Sequence, residues 1–202
     1  MPAEAIVLEG GFADPVLDAQ SSFRTLMDAM ARPATTFKLQ PRAKPPLPLS
    51  PAAGAIACTL IDADTPFWLD AALEGDALRD WLAFHAGAAL APGMAHAAFA
   101  LIGDPASMPP LERFGQGTQD YPDRSATLIL QLDDLEGGVP LVFEGPGIDG
   151  RAVIAPRGLP EGFAAQWAEN RARFPHGVDL ILTAGDAIAC LPRSARLIPA
   201  EG

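Results

Sequence analysis

The segment FGQGTQDYPDRSATLIL, Phe114 to Leu130, gathers residue types suited to holding a small anion. A glycine-rich loop and the turn pair Pro122 and Asp123 lead into hydroxyls at Ser125 and Thr127, where a strand opens. Backbone N–H groups of such a loop can receive an anion, and Arg113 or Arg124 would supply charge. The competing explanation is a loop closed by local Asp and Ser hydrogen bonds. Two basic clusters follow. Arg171, Arg173 and His176 in RARFPHG close a helix, where cations oppose the dipole. Arg193 and Arg196 in LPRSAR could grip a phosphate bidentately, or simply decorate an exposed terminal strand.

Other chemistries lack their residues. His85, His96 and His176 form no ligand-spaced pair, and neither Cys58 nor Cys190 has a C-x-x-C partner, so a metal site would need distant segments to converge. None of Ser50, Ser107, Ser125 or Ser194 sits on a G-x-S-x-G elbow. A pyridoxal phosphate enzyme needs a lysine for its Schiff base, and the only two, Lys38 and Lys44, flank a proline-rich stretch. GPGIDG, Gly145 to Gly150, has dinucleotide-like G-x-G-x-x-G spacing, but that motif requires a helix directly after it. Here RAVIAP follows, with β-branched Val153 and Ile154 and then Pro156, so the glycines are predicted to turn a hairpin.

These segments need a scaffold, and 202 residues with 49 % hydrophobic content suffice for one domain spanning 1–202. A net charge of -11 opposes non-specific binding to nucleic acid or an anionic membrane. The start, MPAEAIVLEGG, lacks the basic flank of a signal peptide, and no apolar run approaches a membrane span of about 18 residues. Together these point to a cytoplasmic protein with Cys58 and Cys190 as reduced thiols.

Helical spacing of Phe23, Leu26, Met27 and Met30 predicts a helix over about Val16 to Ala31, with Phe23, Leu26 and Met30 facing the core or a dimer interface. TTFKL is expected as a strand. PRAKPPLPLSP, with five prolines in eleven residues, is expected as an extended surface connector. A serine-capped helix over Ser50 to Asp62, a short strand at TPFWLD and a helix through Leu78, Trp81, Leu82 and His85 come next. Strands are expected at AHAAFALIG, SATLILQLDD, LVFE, RAVIA, VDLILTAG and AIACLP, with a helix over Glu161 to Phe174. Near-continuous apolar runs such as Ala97 to Ile102 imply strands covered on both faces. The predicted class is therefore α/β, a layered sandwich around a mixed β-sheet.

Several stretches in succession resemble the PhnH family of the bacterial carbon-phosphorus lyase system for phosphonate use. They are GFADPVLDAQSSFRTLMDAMARPATT, LSPAAGAIACTLIDADTPFWLD with WLAFHAGA, GTQDYPDRSATLILQ, LVFEGPGIDG and FPHGVDLILTAGDAIACLPRS, which cover nearly the whole chain in order. The resemblance implies a fold like that of PLP-dependent transferases without the cofactor or its lysine. It also implies a homodimer that joins PhnG, PhnI and PhnJ in a cytoplasmic core complex. With PhnL, that complex transfers an alkylphosphonate to C1 of the ribose of a nucleoside triphosphate, and PhnJ later cleaves the carbon-phosphorus bond. The transfer chemistry belongs to PhnI, and the iron-sulfur cluster and S-adenosylmethionine to PhnJ, so no cofactor and no catalytic residue is carried onto this chain. The family places GPGI in a hairpin signature. A retained ligand pocket would involve Gly117, Thr118, Asp123, Ser125, Thr127 and Arg193. The alternative is a stand-alone homodimeric enzyme acting on a small phosphorylated or anionic substrate through the Gly117 to Thr127 loop.

Overall fold

The structure, a computed structural model, describes residues 9–199. Helix α1 (Pro15–Ala31) starts where Pro15 fixes the first helical φ and the Asp14 carboxylate accepts the Leu17 N–H. Helix α2 (Pro51–Leu60) repeats the device: Ser50 Oγ accepts from Ala53 N–H and Pro51 follows. Strands β1 (Phe37–Lys38) and β2 (Phe67–Leu69) flank α2, and helix α3 (Asp76–Ala86) closes on Gly87 with φ 67°.

Strands β3 (Phe99–Ile102) and β4 (Thr127–Gln131) run parallel to β2 and to each other. The hairpin β5 (Leu141–Glu144) and β6 (Ala152–Ile154) precedes α4 (Phe163–Ala172), and the chain continues through β7 (Asp179–Ala184), β8 (Ala187–Leu191) and β9 (Arg196–Ile198). One six-stranded mixed sheet has the order β1-β8-β7-β4-β3-β2, with β7 parallel to β4 and β8 antiparallel to β7. The mixed α/β architecture agrees with the expectation.

Side-chain alternation along the central strands fixes the layers. Leu101, Ile129, Ile181, Ile188 and Cys190 face one core, shared with Leu26 of α1, Ile56 of α2 and Trp81 of α3. Their neighbours Ile102, Leu128, Leu130, Leu180 and Leu182 face a second core, shared with Phe143 of β5 and Trp167 of α4. Helices therefore cover one face, while α4 and a small three-stranded sheet, β6-β5-β9, cover the other. The second sheet extends the expected single mixed sheet: β9 pairs antiparallel with β5, and so ties the chain end to the hairpin.

GPGIDG turns that hairpin as predicted, with Leu141 opposite Ile154 and Phe143 opposite Ala152. Gly147 has φ 82°, and a Cβ there would lie 2.1 Å from Ala31 O, so only glycine lets this loop touch the end of α1.

The proline-rich connector runs along the surface as expected, pinned by the fully buried Ala43 and Leu49 and by Gln131 of β4, which donates to Pro48 O and accepts from Ser50 N–H. One expectation is corrected. Phe23 does not enter the core. Helix α1 buries Asp18, Ser22, Leu26 and Ala29, while Val16, Phe23 and Met27 lie one stripe away, with Phe23 48 % exposed. The alanine-rich α2 packs on the narrow small-residue face, so the larger apolar side chains fall outside it. In the isolated chain, Phe23→Ala is expected to cost about 1 kcal/mol or less in a urea melt, as at other exposed sites. A loss of several kcal/mol would mean that the stripe is covered.

Candidate functional site

The N-terminal ends of three neighbouring parallel strands frame a cleft of about 530 Å³. Asp64 and Thr65 reach it from the loop before β2, His96 and Ala97 from the segment before β3, and Asp123 to Ser125 from the segment before β4. Thr127, the first residue of β4, lies at its wall.

Local geometry builds the β4 side. Gly115 O accepts from Ala126 N–H, and Gln116 bridges antiparallel to Ser125, which folds the loop back on itself. At its tip Thr118 N–H donates to Tyr121 O, and Thr118 Oγ1 accepts from Tyr121 N–H. Pro122–Arg124 then forms one short helical turn. Gly117 has φ 77°, and a Cβ there would lie 2.6 Å from Pro122 O, so the loop requires glycine.

Ser125 carries the strongest chemical signal. It is 9 % exposed, and its buried Oγ has no hydrogen-bond partner within the protein. A buried hydroxyl normally finds one, which marks Ser125, at the wall of the cleft, as the residue to test. The Gln116 amide nitrogen donates to Leu111 O and Phe114 O, while its buried carbonyl oxygen is likewise unpaired.

Charge around the cleft is mixed. The Arg124 guanidinium lies over the Tyr121 ring at 4.1 Å from its centroid. Thr65 Oγ1 is engaged with Asp62, accepting its N–H and donating to its carboxylate. The lining therefore offers Ser125 and Thr127, with Arg124, His96, Asp64 and Asp123 around them.

Of the six residues expected at a pocket, Asp123, Ser125 and Thr127 line this cleft together. Gly117 and Thr118 shape the adjoining turn. Arg193 lies behind that turn, its guanidinium engaged with Asp179, Pro122 O and Gly177 O. Asp64, His96 and Phe99 also line the cleft; no sequence signal joins them to the loop, since only the parallel strand order brings them there.

The remaining candidates serve other purposes. Arg196 pairs with Glu144, which also accepts from Arg151, and chiefly the Arg196 hydrogen bond holds the Glu144 carboxyl below its usual range. Arg173 pairs with Glu112, and Arg171 lies over Phe174. Burial pushes the thiols of Cys58 and Cys190 up to about 12, which leaves both protonated at neutral pH and unsuited to nucleophilic attack. Among the described residues, no group of three or more His, Cys, Asp or Glu could hold a metal ion.

Comparison with known proteins bears on this geometry. The description "Bacterial phosphonate metabolism protein (PhnH)" matches residues 10–198. The chain is 49 % identical over 197 residues, 98 % of each protein, to the alpha-D-ribose 1-methylphosphonate 5-triphosphate synthase subunit PhnH of Rhizobium meliloti (strain 1021). It is 36 % identical over 81 residues, 40 % of this chain and 42 % of the other, to HtxG of Stutzerimonas stutzeri, whose name assigns it to a C-P lyase. With the family pattern spanning nearly its whole length, this chain belongs to the PhnH family of bacterial phosphonate metabolism proteins.

Proposed function

We propose that this chain is a subunit of the assembly that forms ribose 1-alkylphosphonate 5-triphosphate from a nucleoside triphosphate and an alkylphosphonate. The observation that carries this reading is its similarity, over 98 % of both chains, to a protein named as a subunit of that synthase. In this role it acts in the cytoplasm as a homodimer with PhnG, PhnI and PhnJ, and supports the transfer rather than supplying the catalytic chain. It needs no cofactor of its own: both lysines are exposed, Lys38 pairing with Asp186, so a fold like that of PLP-dependent transferases would be kept here without the Schiff-base chemistry. Among the described residues no helix is long and apolar enough to cross a membrane.

The cleft gives the subunit a place for an anionic, hydroxylated ligand. Ser125 and Thr127 would donate to phosphoryl oxygens beside Arg124 and His96, and Asp64 and Asp123 would accept from ligand hydroxyls. Gly117 and Thr118 hold the loop that presents these groups.

Titration of the purified protein with ATP tests the cleft. Losing one hydrogen bond to a charged group costs roughly 1.5–3 kcal/mol, so Ser125→Ala should weaken ATP binding about tenfold or more. The same variant should impair growth on methylphosphonate in a host that depends on this chain. Unchanged affinity and unchanged growth would remove the cleft from the account.

A further inference from the structure

Arg193 does not line the cleft, yet it is tied to the turn that forms the cleft wall. Its side chain and that of Asp179 are each only 17 % exposed, with Nη2 at 3.0 Å from Asp179 Oδ2. Nη1 donates to Pro122 O at 2.7 Å and to Gly177 O at 3.1 Å, and the Arg193 N–H donates to Asp179 Oδ1 at 2.7 Å. One guanidinium therefore joins the end of β8, the start of β7 and the Pro122–Arg124 turn. That turn has no side-chain cap of its own. Beyond it, Asp179 N–H donates to Ala126 O, so the chain is tied to β7 on one side of Ser125 through the guanidinium and on the other by a backbone bond.

We infer that Arg193 is a positioning residue: through Pro122 O and Asp179 it fixes the Pro122–Arg124 turn against the sheet, and so sets where Asp123, Arg124 and Ser125 meet the ligand. The inference rests on the cleft being a ligand site and explains what holds that site open. Arginine suits the task because its planar fork can satisfy a carboxylate and two carbonyls at once in fixed directions. A lysine ammonium is a point charge on a flexible stem; it keeps the attraction to Asp179 but does not fix the turn.

The competing role is stability alone, and replacing both charges separates the two. A buried ion pair can often be exchanged for apolar side chains with little loss of stability, whereas removing one partner strands a charge. The test measures melting temperature, ATP affinity and amide hydrogen exchange over Gly117 to Thr127 in the full chain. It compares Arg193→Met/Asp179→Leu and Arg193→Lys with the wild type. The double variant is expected to fold but melt below the wild type, because Pro122 O, Gly177 O and the Arg193 N–H lose their partners, and to bind ATP at least tenfold more weakly, with exchange in the loop at least tenfold faster. Arg193→Lys should show the same two losses with a melting temperature closer to the wild type, so the inference is also tested if the double variant folds poorly. Wild-type affinity and exchange in a stably folded variant would overturn it. Failure of the wild type to bind ATP would count against the cleft reading, while the exchange comparison would still decide whether Arg193 holds the turn.

Discussion

Asn170→Leu should destabilise the protein by roughly 2–5 kcal/mol, because two buried backbone groups lose their partners together. Asn170 of α4 is fully buried. Its amide donates to Val178 O at 2.9 Å, and its carbonyl accepts from Val178 N–H at 2.8 Å. This side chain therefore continues the hydrogen bonding of the sheet at the residue just before β7, where no strand is available to do so. Leucine is similar in size but offers neither bond. For a chain of this length each kcal/mol corresponds to about 2–4 °C in melting temperature, so a fall of roughly 5–20 °C is expected in a thermal scan. The effect should reach the cleft, because Gly177, whose carbonyl accepts from Arg193, packs on the same asparagine. A melting temperature within about 2 °C of the wild type would show that Val178 finds other partners.

Gly117→Val should abolish the cleft's function while leaving most of the fold intact. With φ at 77°, a β-branched residue is strained by roughly 1–3 kcal/mol before any contact is considered. Its Cβ would also lie 2.6 Å from Pro122 O and 2.9 Å from Pro122 Cα, both backbone atoms that cannot swing away. The conflict can be relieved only by displacing the Pro122–Arg124 turn, and with it Asp123, Arg124 and Ser125. ATP binding should fall by at least a hundredfold, and growth on methylphosphonate should fail, in a variant that remains soluble and cooperatively folded. Retained affinity would place the binding groups elsewhere.

These two residues illustrate what the sequence made legible. Helix starts could be read because their chemistry is local: Pro15 follows an aspartate and Pro51 a serine, and both helices begin there. The hairpin at GPGIDG was legible for the same reason, since β-branched residues and a proline after the glycines exclude a helix. Continuous apolar runs gave away the buried central strands, which the two cores confirm by alternation. The fate of Phe23 was not legible. Periodicity identifies an apolar stripe but not which face the neighbouring elements cover, and α1 buries Asp18, Ser22, Leu26 and Ala29 rather than Phe23.

At the site, Asp123, Ser125 and Thr127 were found together because they are neighbours in the chain. His96 and Asp64 join them only because β2, β3 and β4 lie side by side, a consequence of sheet order that no local pattern encodes. Arg193 was legible as a cation near the loop, but not as one already committed to Asp179 fourteen residues earlier.

The central claim is that this chain works as a subunit, and co-expression tests it most directly. The tagged chain would be produced with PhnG, PhnI and PhnJ, captured by its tag, and its mass determined after size separation. The account predicts recovery of all three partners in stoichiometric amounts, in a species that contains two copies of this chain. A bare dimer that leaves the other three subunits in the unbound fraction would contradict it and favour a stand-alone protein acting on an anionic substrate.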